Sequence, residues 1–170
     1  MRGCSPLPSL YMDQQIAFAA KEEILRNTIK THNHILVSGW EGAGKTVTAL
    51  KAGKGFGDVY YYSESGIDIQ PYTSRYNDTV RVLKDMHDFN AAKSSDQPLL
   101  IVDDLDKISA DTLNIIISML SEKTQNRKII LIARTLMDVE GLLSEMDAVV
   151  RLKHDTAEIL FSTLKDINNI

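Results

Sequence analysis

The segment Gly39-Trp40-Glu41-Gly42-Ala43-Gly44-Lys45-Thr46 places glycines, a lysine and a hydroxyl in the order GxxxxGK followed by Ser or Thr. Glycines have no Cβ, so the backbone curls until successive N–H groups point at one centre, a geometry suited to phosphate oxygens. A helix starting at the end of such a loop adds the positive end of its dipole. In this arrangement Lys45 is expected to reach the β- and γ-phosphates of a nucleoside triphosphate, and the Thr46 hydroxyl to be one ligand of Mg²⁺. Residues Gly39, Trp40, Glu41, Gly42, Ala43, Gly44, Lys45, Thr46 and Val47 form the expected nucleotide-contacting set. For Trp40 two placements stay open, over the nucleotide or on the rim of its site.

A second group of residues completes the chemistry. In "PLLIVDDLD" an apolar run ends in Asp103 and Asp104. A carboxylate at the end of a strand beside the loop is what a hard divalent ion takes, usually through water, which assigns Asp103 to Mg²⁺. Asp104, whose side chain leaves the strand end in another direction, is expected to orient the attacking water or accept its proton. The competing reading makes both aspartates caps of the turn. Arg134 follows the apolar run "KIILIA" and is expected to stabilise charge on the γ-phosphate, against a surface arginine or a salt bridge to Asp103 or Asp104.

Elements must carry these side chains. "HILVSG", "DVYYYS", "PLLIVDD", "KIILIAR" and "AVVRLK" are short runs rich in Val, Ile, Leu and Tyr with no polar alternation, as expected of strands covered on both faces. Between them lie helical patterns. The first helix is expected from Asp13 to about Lys30, with Ile16, Ala20 and Ile24 on one face. Others are expected after Asn77 or Asp78 (Val82, Met86, Phe89), after Ser109 (Leu113, Ile116, Ile117, Leu120), after Thr135 (Leu136, Val139, Leu143, Met146) and from Asp155 (Leu160, Phe161, Leu164). Residues 64–77, interrupted by Gly66 and Pro71, read as a long loop, and "GKGFG" as the turn that ends the helix after Thr46. The alternation predicts an α/β fold with three α/β/α layers around a five-stranded, mostly parallel sheet.

Composition narrows the class. The 170 residues are 44% hydrophobic and 25% charged, enough for one globular domain. Residues 1–12 are expected to be an N-terminal arm and 13–170 the core. The formal charge of −4 gives no support to a nucleic-acid backbone as the main partner, though it leaves a local basic patch open. The lone Cys4 makes no internal disulfide, and neither a leader nor an apolar run of about 18 residues is present, so a cytoplasmic protein without a membrane span is expected. The histidines 32, 34, 87 and 154 have no ligand spacing.

"GWEGAGKT" and "PLLIVDD" resemble the Walker A and Walker B motifs of P-loop NTPases, and the strand "DVYYYS" between them is similar to the inserted strand of the additional-strand division, which includes AAA+ and STAND ATPases. The resemblance spans about residues 10–165. It implies a domain that binds ATP and Mg²⁺ and acts as a nucleotide-dependent switch or motor, with hydrolysis by water at Asp104 and with Arg134 at the place of the STAND γ-phosphate sensor. The guanine-reading NKxD motif is absent, which leaves ATP. The paired aspartates are closer to STAND, since AAA+ members commonly have glutamate second. "SEMDAV" has no arginine where AAA+ proteins carry an arginine finger, and the helical lid does not fit after Asp155, so a minimal core or a fragment is expected. No adenine-binding arginine motif precedes the loop; Leu10 or Tyr11 is expected to staple the first helix or to pack on the base. Expected partners are ATP or ADP and another protein or copy of the chain. A DNA-associated helicase or loader, and an adaptor that binds nucleotide without turnover, are the alternatives.

Overall fold

The computed structural model describes residues 6–66, 68–87, 98–122, 127–135, 142–154 and 156–161, with side chains from residue 18 to residue 160 of that set. The apolar runs become strands β1 (His34–Gly39), β2 (Val59–Ser63), β4 (Leu99–Asp103), β5 (Lys128–Ala133) and β6 (Ala148–Leu152), and two more strands, β3 (Val80–Val82) and β7 (Ala157–Phe161), extend the edges. The described residues thus form one seven-stranded sheet in the order β3-β2-β4-β5-β1-β6-β7. All pairs are parallel except β6 with β7. β1 lies between β5 and β6, with Leu36 opposite Leu131 and Val149.

The helices are α1 (Pro6–Thr31), α2 (Lys45–Gly53), α3 (Gln70–Tyr76) and α4 (Ala110–Ser121). Successive side chains of a strand leave opposite faces, so each central strand feeds two cores. Val37, Ile101 and Ile132 pack with Leu25 and Ile29 of α1 and Leu50 of α2, whereas Leu36, Leu100 and Leu131 pack with Ile116 and Leu120 of α4. Truncating one such fully buried Leu or Ile to alanine costs about 2–5 kcal/mol, the transfer term plus the cavity. This two-sided burial explains why the strands show no alternation.

Several expected elements differ. The sheet has seven strands among the described residues, not five. The first helix begins at Pro6, not Asp13, because a proline's fixed φ suits a first helical turn and its missing N–H costs nothing there. Of the expected arm, residues 6–12 are helical and residues 1–5 lie outside the described set. Ala157–Phe161 is a strand, not a helix: Ile159 pairs with Val150 and Glu158 with Arg151, and a short apolar run takes whichever structure the neighbouring edge completes. Of the helix expected after Asn77 or Asp78, Val80–Val82 instead form β3 on the edge of β2, Met86 and His87 are helical, and Phe89 lies outside the described set. Asn77 donates to Leu50 O at 2.9 Å and accepts from the Thr79 hydroxyl at 2.7 Å, which fixes a turn into two β-branched valines. The expected loop 64–77 contains α3, started by Pro71 and by Asp68, whose carboxylate accepts from Gln70 N at 2.9 Å. Of the helix expected after Thr135, residues 136–141 lie outside the described set and 142–145 form one 3₁₀ turn, with Leu142 and Met146 buried. α4 begins as expected at Ser109, which accepts from Thr112 N at 3.3 Å.

Candidate functional site

The parallel strands all end on one side of the sheet, and the loop 39–46 crosses that side between β1 and α2. Gly39 sits beside β6, where a Cβ would come within 2.7 Å of Leu152 O, so no larger residue fits without displacing backbone. Gly42 and Gly44 have φ of +84° and +80°, a left-handed conformation that favours glycine. Thr48 N donates to Gly44 O at 2.8 Å, so α2 starts directly at Lys45. Lys45 Nζ folds back onto the loop, donating to Gly39 O at 2.6 Å and Trp40 O at 3.0 Å. Burial lowers the pKa of this amine from its ordinary value, and the nearby charge of Asp103 opposes the shift. Trp40 is 81% exposed at the open side of the loop.

Asp103 ends β4 facing this loop and is buried. Its Oδ2 accepts from the Thr46 hydroxyl and from the Tyr61 hydroxyl, the latter at 2.6 Å, while Oδ1 accepts from Asp104 N at 2.8 Å. Burial, followed by the charge of Asp103, pushes the Tyr61 phenol far above its usual range, so it remains a donor. Tyr61 was legible only as strand filler. Its place follows from register: Ser63 pairs with Asp103, and Tyr61, two residues earlier, shares the face of Ser63. Asp104 turns away with φ +49°, the one described non-glycine residue in the left-handed region. Its Oδ2 accepts from Ser65 Oγ at 2.6 Å, and Ser65 in turn contacts Ser63 Oγ at 2.8 Å. Neither serine was singled out by the sequence.

Arg134 follows β5 and lines the same cleft as Lys45, Asp103 and Asp104. Its partner is Glu41 at 3.9 Å, with the two side chains 63% and 89% exposed, and not the aspartates. Such an exposed pair contributes little, about 0–1 kcal/mol. A second arm of the cleft, about 300 Å³, runs from Lys45 and Thr46 toward Ile69 and Tyr72. Lys45, Thr46, Asp103, Asp104 and Arg134 therefore converge, as expected, while the side chains of Leu10 and Tyr11 lie outside the described set.

Residues 35–151 match the model of the family described as ATPase family associated with various cellular activities (AAA). The chain belongs to the AAA ATPase family. The AAA family binds ATP and ADP, and the match supports a P-loop AAA+ ATPase domain. The AAA chain is also similar to a solved structure of a DNA polymerase III gamma subunit-related protein from Thermotoga maritima, with TM-score 0.53 and 17% identity over 78% of this chain and 46% of that one. At that identity the likeness concerns the fold, and this chain spans less than half of the other protein. No curated protein sequence matches the chain. No helix among the described residues of the AAA domain is long and apolar enough to cross a membrane.

The residues fit the nucleotide and metal that the AAA family implies. Among the described residues no cluster of three or more His, Cys, Asp or Glu holds a metal by itself. Thr46 and Asp103 supply two hard oxygen donors in contact with each other, which suits Mg²⁺, an ion that takes one or two protein ligands and completes its shell with phosphate and water.

Proposed function

We propose that this chain binds Mg²⁺ and ATP in the cleft between the 39–46 loop and the end of β4 and hydrolyses the γ-phosphate, with the loop as Walker A and Leu99–Asp104 as Walker B. The observation that carries the reading is the contact of Thr46 with Asp103, which joins the start of α2 to the end of β4 across 57 residues. Two isolated turn residues would have no reason to meet there with a lysine beside them.

Each residue has a part. The N–H groups of the loop and the start of α2 bind phosphate oxygens, and Lys45 exchanges the Gly39 and Trp40 carbonyls for them. Thr46 and Asp103 hold Mg²⁺, and Tyr61 fixes the carboxylate that does so. When bound, Mg²⁺ draws charge from the phosphate oxygens. Asp104 accepts the proton of the attacking water once Ser65 ceases to occupy its Oδ2. Arg134 leaves Glu41 to face the γ-phosphate, the role that favours a STAND-like sensor. Because Ser65, Glu41 and Arg134 are exposed and held at the surface, their rearrangement is the switch through which nucleotide state is read.

Calorimetry with Mg²⁺ and ATP tests binding, and phosphate release with and without added DNA tests turnover. Heat of binding with slow, DNA-independent release is expected. Absence of binding by the intact chain defeats the proposal; binding without release reduces it to nucleotide binding alone.

A further inference from the structure

The interior contains a lysine that the proposed reaction does not use. Lys21, on α1, is 1% exposed, and its Nζ donates to Ala43 O at 3.0 Å, Lys153 O at 3.1 Å and His154 O at 3.2 Å. An ammonium has three N–H donors, and these three main-chain carbonyls are among the groups that meet them. The carbonyls belong to two separate segments, the 39–46 loop and the turn between β6 and β7. Phe18, one helical turn earlier, covers the group: its ring centroid is 4.6 Å from Nζ, and its edge reaches 3.0 Å from where a Cβ on Gly44 would lie. The ring thus packs against the loop at Gly44 and is not among the residues that line the cleft.

Ala43 O and Gly44 N–H belong to the same peptide unit, and in a trans peptide they point in opposite directions. Drawing the Ala43 carbonyl back toward Lys21 therefore turns the Gly44 N–H forward into the cleft. The left-handed Gly44, which follows this peptide, is where such a loop most readily lets a peptide flip. A buried charge-assisted hydrogen bond is among the stronger restraints available for one peptide plane.

We propose that Lys21 is a positioning residue that orients the Ala43–Gly44 peptide so that its N–H faces the phosphate of a bound nucleotide, and that it ties this orientation to the β6–β7 turn. The inference rests on the nucleotide reading of the cleft. Lys21 acts from behind the loop and touches no phosphate, so its loss weakens recognition of the phosphate chain and spares the rest of the ligand.

Affinities for ADP and AMP, measured by calorimetry on the full chain, test it. Lys21→Met keeps the length and removes the donors; ADP binding is expected to fall at least about 10-fold and the preference for ADP over AMP by a similar factor, since one restrained donor is worth that much. Lys21→Arg, which retains several donors, is expected to restore most of the ADP preference. Should Lys21→Met bind ADP as tightly as the native chain, or lose ADP and AMP equally, the assignment is overturned while the nucleotide reading stands. A native chain that binds neither ligand overturns the nucleotide reading and this inference with it. If Lys21→Met does not fold, the ¹⁵N resonance of the Lys21 ammonium in the native chain gives the answer: it is expected to shift at saturating ADP, and an unmoved resonance overturns the assignment.

Discussion

The two walls of the cleft are built differently. On the loop side, Lys45 has two carbonyl partners, Ala43 is held from behind by the buried Lys21, and Gly39 is wedged against β6. Asp103 belongs with this wall, since it is buried and accepts three hydrogen bonds. The opposite wall pairs Asp104 with Ser65, which also contacts Ser63, and Arg134 with Glu41, all at exposed or half-exposed side chains. The residues assigned to binding are therefore buried or half-buried and held by several contacts, and those assigned to turnover are more exposed. Binding and turnover should separate by mutation along this division.

The largest effect falls on the second wall. Asp104→Asn is expected to leave ATP affinity within about 3-fold while lowering phosphate release at least about 100-fold, the usual range for loss of a general base. A parallel loss of affinity in calorimetry would show that the walls are not independent. Next, Lys45→Ala is expected to weaken ATP binding about 10- to 100-fold, since a charge-assisted hydrogen bond contributes about 1.5–3 kcal/mol; unchanged binding removes the loop wall from the argument. Tyr61→Phe takes one of three bonds from Asp103 and should raise the Mg²⁺ concentration required for ATP binding several-fold, on the order of 1 kcal/mol, without changing binding in the absence of metal.

The smallest effect concerns the outer support. Glu64 accepts hydrogen bonds from the Thr112 and Ser109 hydroxyls and from Ser109 N at the start of α4. The bond from Thr112, followed by those from Ser109, holds its pKa below the ordinary 4.5, partly offset by burial. A carboxyl with a depressed folded-state pKa contributes stability that is present above its unfolded value and is lost as pH falls through the folded one. Glu64→Gln is accordingly expected to lower the unfolding temperature by a degree or two near neutral pH, on the order of 0.5 kcal/mol or less. The gap to the native chain should close below pH 4.5 in thermal scans.

The residues that meet in the cleft were legible because their chemistry is local in sequence: a glycine loop ending in Lys45-Thr46, and aspartates at the end of an apolar run. Their supports were not. Tyr61 and Ser65 matter through register with β4, and Lys21 through a contact with a turn 132 and 133 residues away, neither of which a local pattern encodes. The central strands were equally plain, since burial on both faces leaves unbroken apolar runs. The edges were misread for the opposite reason. β3 and β7 are short and half-covered, and their few valines, isoleucines and leucines satisfy a helical spacing as well as a strand's until a neighbouring edge decides. Pro71 broke the pattern that hid α3, although a proline in a first turn is a start signal as well as a stop.

The left-handed backbone of Asp104 sets evolution of this chain at odds with itself. Asparagine and glycine occupy that conformation at less cost than aspartate, so selecting for heat tolerance alone would drift toward them at position 104. The survivors would pass every screen for a well-folded, ligand-competent domain while having given up the carboxylate to which we assign the proton of the attacking water.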